Sequence, residues 1–134
     1  MSLNEMGSAL HTALAGGTAL VAELGGTAIW EGLAPQGTSL PYVVYFHSGG
    51  GDDNDSPRRA RSPLWTVKAV ADTQQKAKDI DDEVDALLHL GSLSLTSWNH
   101  YWIAREADVR YTEPGPGGAV YWHYGGQYRV RIAE

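Results

Sequence analysis

The stretch LPYVVYFH, residues 40–47, is the longest unbroken apolar run in the chain, and the rest of the molecule must fold around it. Its β-branched and aromatic residues favour a strand, and Pro41 stands near the start, where a strand tolerates a residue without an N–H donor. Successive side chains of a strand point to opposite faces. Both alternating sets in this run are largely apolar, so it is predicted to be a central strand covered on both sides.

The composition favours one domain over residues 1–134, because this length can bury a single core. Ten Lys and Arg residues against sixteen Asp and Glu residues give a formal charge of −6, which is not typical of binding to phosphate backbones through the whole surface. The lack of cysteine excludes disulfides and thiolate sites. No secretory pattern opens the chain, and no apolar run approaches the roughly 20 residues of a spanning helix, so we expect a soluble protein of the cytoplasm with no membrane partner.

Two amphipathic segments are predicted to be the helices that cover the sheet. In the first, Ser2 and Glu5 have the spacing of a capping box, and apolar residues recur at helical spacing up to Leu14. The glycine pair at residues 16–17 ends this helix, and a shorter helical turn is expected over residues 19–24.

The second amphipathic segment, residues 75–88, has the clearest helical pattern in the chain. Asp72 is followed three residues later by Gln75, which is a capping signal. An apolar stripe then faces one way and charged residues face the other. Gly91 is predicted to end the helix.

Alternating apolar and polar residues predict further strands at residues 29–31, 64–71, 101–112 and 119–132. The pair Gly125 and Gly126 would interrupt the last of these with a bulge or a second turn. The order of elements predicts an α+β fold, in which two helices pack on a mostly antiparallel sheet of four to six strands.

Two segments without periodicity are predicted to be exposed loops. The first, residues 49–61, contains three glycines and then the charged residues Asp52, Asp53, Asp55, Arg58, Arg59 and Arg61. The second, residues 113–118, separates the last two strands and contains Glu113, Pro114 and Pro116. The arginines of the first loop could bind nucleic acid, but the neighbouring aspartates largely neutralise them at short range.

No motif for metal binding or catalysis is complete. Residues 53–55 open like a calcium loop, but Arg58 and Leu64 occupy the positions that need Gly and Glu. Asp79 and Glu83 are one helical turn apart, opposite the apolar stripe, where a solvated face is expected. The five histidines lack ligand spacing; His47 and His123 could be neighbours on a sheet, but two imidazoles make a poor zinc site. We therefore predict no catalytic residue, no metal and no cofactor, and we expect that the protein is not an enzyme.

Several segments together resemble a known family. They are the early helix, the entry to the central strand at residues 35–45, the segment WTVKA at residues 65–69 with the helix that follows it, and the closing YRVRI at residues 128–132. This pattern is similar to the tail-completion or tail-terminator proteins of long-tailed bacteriophages and gene transfer agents, and it spans nearly the whole chain.

The resemblance implies a virion structural protein that forms a ring, typically a homohexamer, at the head-proximal end of the tail tube. Such a ring stops tube polymerisation and joins the tube to the head–tail connector protein, while DNA passes through its lumen without specific binding. A closed ring uses two different patches per subunit. The loops at residues 49–61 and 113–118 are the candidate patches, because they are long and lack core-forming residues.

Two other interpretations remain at this stage. Within the same biology the chain could be a neck or head-completion protein. In a different class it could be a small ligand-binding or hydrolytic α+β domain. Five Trp and seven Tyr residues exceed what a small core usually needs, which fits either a contact surface or a sheet-rich core.

Overall fold

The computed structural model describes residues 3–52 and 60–134 of the chain. In chain order the elements are α1 (Asn4–Ala15), α2 (Thr18–Leu24), β1 (Ile29–Glu31), β2 (Tyr42–Gly49), β3 (Ala60–Arg61), β4 (Leu64–Ala71), α3 (Gln74–Leu88), β5 (Asn99–Pro114), a short 3₁₀ turn (Pro116–Gly118) and β6 (Val120–Ala133). None of the described helices is long and apolar enough to cross a membrane. The predicted α+β class is confirmed, and α2 is the short turn expected after α1.

The six strands form one sheet in which β1, β2, β4 and β6 are successive neighbours and β6 also pairs with β3 and β5. Every pairing is antiparallel except that of β1 with β2, which is parallel. The sheet is therefore mixed but mostly antiparallel. The parallel pair arises because residues 32–41 carry the chain back before β2 begins beside β1.

The core lies between the helices and one face of the sheet. Trp65, Val67, Ala69 and Ala71 share that face, as predicted, and all four are at most 3% exposed. The Tyr45 hydroxyl, on the same face of β2, donates to the carbonyl oxygen of Gly7 in α1 at 2.8 Å. Helix α3 buries the same apolar stripe that the sequence predicts, against β4 and β6.

The prediction that β2 is covered on both sides holds only in part for its second face, where Val44 is 6% exposed. Tyr42 and Phe46 on that face are only half-buried. They line an open cleft, whose other walls come from Leu33 and its neighbours and from the paired strands β5 and β6. The second face of β2 is therefore partly covered, by the segment around Leu33 and by β5 and β6.

The first helix is not capped as the sequence predicts. Its N-cap residue is Leu3, which makes no side-chain capping bond, and Ser2 lies outside the described residues. The Glu5 carboxylate instead accepts hydrogen bonds from the backbone of Thr96 and Ser97. The hydrogen bonds from Thr96 are the main cause that lowers the pKa of Glu5, and together these bonds tie α1 to the segment before β5.

The ends of α3 also differ slightly from prediction. Thr73, and not Asp72, is the N-cap residue, and its hydroxyl accepts from the Lys76 amide. The helix ends at Leu88, three residues before Gly91, because the backbone of His89 is already extended. One Ser, Thr, Asn or Asp can replace another at an N-cap, which is why sequence alone leaves the position open by one residue.

Strand β6 runs without interruption through Gly125 and Gly126, so the predicted bulge or turn there is wrong. The register shifts lie in β5, between His100 and Trp102 and between Arg105 and Ala107. The glycines serve close packing. A Cβ at Gly125 would lie 2.2 Å from the Val67 carbonyl oxygen, and one at Gly126 would lie 2.6 Å from Arg105 Nε.

We predict that Gly125→Ala destabilises the protein by about 2 kcal/mol, because the added methyl meets a backbone carbonyl that cannot move without breaking the β4–β6 pairing. Gly49→Ala is the matched control, since its Cβ would meet nothing within 4 Å. Urea denaturation of both variants measures the difference. Equal unfolding midpoints would contradict the packing role of Gly125.

Candidate protein-contact surfaces

The first predicted contact loop is closed at its base. Asp52 forms an isolated antiparallel bridge with Arg61, and the Ser62 amide donates to the Gly51 carbonyl at 3.1 Å. Arg61 also belongs to β3, which pairs with the end of β6. The other charged residues predicted for this surface, Asp53, Asp55, Arg58 and Arg59, lie outside the described residues.

The second predicted loop is shorter than expected. Glu113 and Pro114 are the last residues of β5 and pair with Tyr121 and Val120, so they belong to a strand. Pro116 is exposed in the 3₁₀ turn that connects β5 to β6. Gly117 and Gly118 both have positive φ, which explains why this tight turn is glycine-rich.

The structure places the two predicted contact regions at opposite ends of β6. Arg61 pairs with Ile132, and Pro114 pairs with Val120. Twelve steps at about 3.3 Å each give a path of roughly 40 Å along β6 between these points. The described parts of the two loops therefore form two separate surfaces.

A polar cluster that the sequence did not indicate supports the second region. His123 Nε2 lies 2.8 Å from Glu113 Oε1, and the His123 ring stacks on Tyr111 with a centroid distance of 4.4 Å. The Tyr111 hydroxyl accepts a hydrogen bond from Lys68 Nζ. The residues come from three strands and share one face only because of the register, so no sequence motif marks them.

Burial governs the protonation of this cluster. The His123 residue is 5% exposed, and burial lowers its pKa against the opposing effect of its bond to Glu113. Burial and the nearby Glu113 carboxylate raise the pKa of Tyr42. The described residues that line the adjacent cleft, about 250 Å³ in volume, are apolar, aromatic or charged, and none of them is a serine or threonine that could act as a nucleophile. The chemistry of the cluster is that of a polar anchor for the hairpin.

A second polar cluster anchors β5 to α3. Asp81 Oδ1 and Oδ2 accept from the two terminal nitrogens of Arg105 at 2.8 and 3.0 Å. The same guanidinium donates to Asp108, Tyr128 and the Gly125 carbonyl. The hydrogen bond from Arg105 to Asp81 is the main cause that raises the pKa of Arg105.

Several large apolar side chains are exposed in the described part of the chain, and three of them lie on β5. Tyr101, Trp102 and Tyr111 are 54%, 41% and 43% exposed. Aromatic residues are enriched in protein interfaces relative to other surfaces. The surplus of aromatics noted in the sequence is thus partly core, as in Tyr45 and Tyr128, and partly surface.

The structure does not bring the residues considered for catalysis or metal binding together into a site. Asp79 is on the outer face of α3 and accepts from Gln75, as expected of a solvated face. His47 stacks on Trp65 on the helix-covered face, whereas His123 lies on the other face, so the two are not neighbours. In the described ranges no three His, Asp or Glu side chains are grouped to hold a metal ion.

We predict that Asp81→Asn lowers the free energy of unfolding by about 2–3 kcal/mol, because it leaves the largely buried Arg105 without its main counter-charge. The remaining bonds of Arg105 to Asp108 and Gly125 place the loss toward the low end of that range. Asp82→Asn, at the exposed neighbouring position, should change stability by less than about 0.5 kcal/mol. Thermal and urea unfolding of both variants test this, and equal losses would refute it.

The lowered pKa of His123 predicts a loss of stability in acid. Between the unfolded value of 6.5 and the lower folded value, the unfolded chain binds the proton more readily, so stability falls as the pH falls through that window. In His123→Gln this contribution is absent, so the stability difference between wild type and variant should shrink from pH 8 to pH 5. His11→Gln, at an exposed position, is the control. Parallel curves for wild type and His123→Gln would show that burial does not disfavour the charged imidazole.

Comparisons with known proteins give a family match and matches to solved structures. The sequence matches the family of tail completion protein gp17 over residues 8–120. The fold matches a chain described as "Virion of native gene transfer agent (GTA) particle", with a TM-score of 0.78 and 17% identity, covering 95% of this chain and 93% of that chain. No protein with a curated description matches.

The structural match, at 17% identity, supports the fold alone. The family match covers most of the chain and therefore shows the family. The family match confirms the resemblance to tail-completion proteins that the sequence predicted. The chain belongs to the tail completion protein gp17 family, and it is a structural protein of a virion tail.

Proposed function

We propose that this protein is a tail terminator: a ring of identical subunits, with six as the expected number, that caps the head-proximal end of the tail tube. The ring stops tube polymerisation and presents a surface to the head–tail connector. Assembly takes place in the host cytoplasm. The proposal rests on membership of the tail completion family together with the separation of the two contact regions.

That separation is the observation that carries the proposal. A subunit between a tube below and a connector above needs two different contact surfaces, and a closed ring needs a head-to-tail contact between copies. The Asp52–Arg61 base and the Pro114–Gly118 turn lie roughly 40 Å apart along β6, so one subunit can contact different proteins at its two ends.

The charge is compatible with DNA passage. Six copies at −6 each give a ring of formal charge −36, and an acidic ring does not retain DNA as it passes. We propose that the subunit acts by shape and contacts, without catalysis. The clusters around Arg105 and His123 serve this role by holding the β5–β6 hairpin in place.

Tube length measures the proposed activity. Tail-tube subunits polymerised in the presence of increasing amounts of this protein should give progressively shorter tubes, with a ring at one end visible by negative-stain microscopy. In one variant a two-glycine link replaces residues 53–59 and keeps the Asp52–Arg61 bridge. If that loop contacts the tube, this variant should no longer bind the tube end. The Asp82→Asn variant serves as the folded control.

Tubes that grow to full length at every ratio would refute the terminator role. In that case binding to the connector alone would indicate a neck or head-completion protein. A monomer that binds neither tube nor connector would favour the ligand-binding or hydrolytic interpretation. Normal tube capping by the loop variant would instead remove residues 53–59 from the contact and leave the terminator role intact.

A further inference from the structure

The sheet has two open edges, at opposite ends of its strand order. At one end β1 pairs with β2, and at the other end β5 pairs with β6; no further strand is paired outside either of them within residues 3–52 and 60–134. Open strand edges present unpaired N–H and C=O groups that can accept another strand. The two edges differ, as the two sides of a head-to-tail contact must.

The first half of the β5 edge is closed by the chain itself. The Leu90 amide donates to the Ile103 carbonyl at 2.7 Å, and the Arg105 amide donates to His89 Nδ1 at 3.0 Å. Both register shifts of β5 also fall in this half, at His100–Trp102 and Arg105–Ala107. Bulges and covering residues are the usual protection of an edge strand.

The second half of β5 is regular and has no such cover in the described part of the chain. The Val130 amide donates to the Pro63 carbonyl on the β4 side, so alternation along β6 directs its odd-numbered residues to β5. Residues of β5 that pair with them, such as Val109 and Tyr111, are bonded to β6. The residues between them therefore direct their backbone groups outward: Asp108, Arg110 and Thr112.

The second open edge of the sheet is β1. The Val43 amide donates to the Ala28 carbonyl, and the Gly32 amide donates to the Tyr45 carbonyl. The even-numbered residues of this segment thus face β2, and Ile29 and Glu31 direct their backbone groups outward. The Ile29 amide donates to the Thr27 carbonyl and the Glu31 carbonyl accepts from the Leu33 amide, so the outward groups offered to another strand are the Ile29 carbonyl and the Glu31 amide. Beside β1 lies an open groove of about 420 Å³, between the strand and α1.

The β5 edge and the β1 edge carry side chains of opposite charge. Arg110 pairs with Tyr124 and Glu31 pairs with Tyr45, so both side chains lie on the helix-covered face of the sheet. Both residues are exposed, and neither has an oppositely charged partner among the described residues. The Arg110 guanidinium only rests 5.0 Å from the centre of the Tyr124 ring. If the sheet continued from one copy to the next, the two charges would face each other across adjacent strands.

We propose that residues 108–112 of one copy add as a strand to the β1 edge of a second copy, with Arg110 opposite Glu31 of that copy. The sheet would then continue from subunit to subunit. This inference rests on the proposed ring and names its copy-to-copy contact. The loop regions at the two ends of β6 then stay available for the tube and the connector.

Three sets of variants test the contact. Arg110→Pro removes an outward N–H while leaving the pairing to β6, whereas Arg110→Ala keeps the N–H and removes the charge. The charge reversals Arg110→Glu and Glu31→Arg are made singly and together. Because the chain has no cysteine, Glu31→Cys with Arg110→Cys can be oxidised cleanly, and Asp82→Cys with Arg110→Cys is the control pair. In one subunit residues 31 and 110 are four strand spacings apart, roughly 19 Å, too far for an internal disulfide.

Self-association is measured by sedimentation, with and without tail-tube subunits, after circular dichroism confirms folding. We expect each single reversal to weaken association about fivefold and the double reversal to restore it. Arg110→Pro should weaken association about tenfold more than Arg110→Ala does. The variant that combines Glu31→Cys with Arg110→Cys should form a covalent ladder, and the control pair should not.

The outcomes separate this inference from the ring proposal. If the wild type assembles, but Arg110→Pro assembles as well as Arg110→Ala, strand addition is wrong and the ring stands. Failure of the Glu31→Cys and Arg110→Cys pair to cross-link leads to the same conclusion. If the double reversal fails to restore association, the Arg110–Glu31 pairing is wrong. A wild type that stays monomeric, even on tube ends, overturns the ring and this inference together.

Discussion

The ion pair between Asp81 and Arg105 is the interaction on which the shape of this molecule depends. It joins the buried face of α3 to β5 at the point where the strand shifts register. Gly126 has no side chain, which leaves the space that the guanidinium occupies. A buried arginine is stable only with a counter-charge and filled donor positions, and here two aspartates, a tyrosine and a carbonyl supply them.

The register shift held by this arginine decides which residues face outward. Before the shift, Ile103 is buried beneath the helices; after it, Ala107, Val109 and Tyr111 lie on the opposite face. The shift therefore divides β5 into a half that packs and is capped, and a half that stays regular and open. The open half therefore presents the unpaired N–H and C=O groups of an edge strand.

The two polar clusters have related roles at the two halves of the hairpin. Arg105 secures the half near α3, and the stacked pair of His123 and Tyr111 secures the half near the turn. Among the described residues, neither cluster places a serine or threonine nucleophile beside a base. Both are better understood as anchors that hold the long hairpin of β5 and β6 in one position.

The sequence by itself determined the α+β class, the apolar stripe of α3, the shared face of β4 and the tail completion family, because periodic burial and local motifs are written in consecutive residues. The sequence did not locate the register shifts, which lie in β5. It pointed instead to Gly125 and Gly126 in β6, because a glycine pair is compatible with a bulge, a turn or close packing. Only the tertiary structure decided that they admit Arg105, that Glu113 belongs to a strand, and that Glu31 and Arg110 lie at the two margins of one sheet. Those facts depend on pairing between distant segments, which no local pattern encodes.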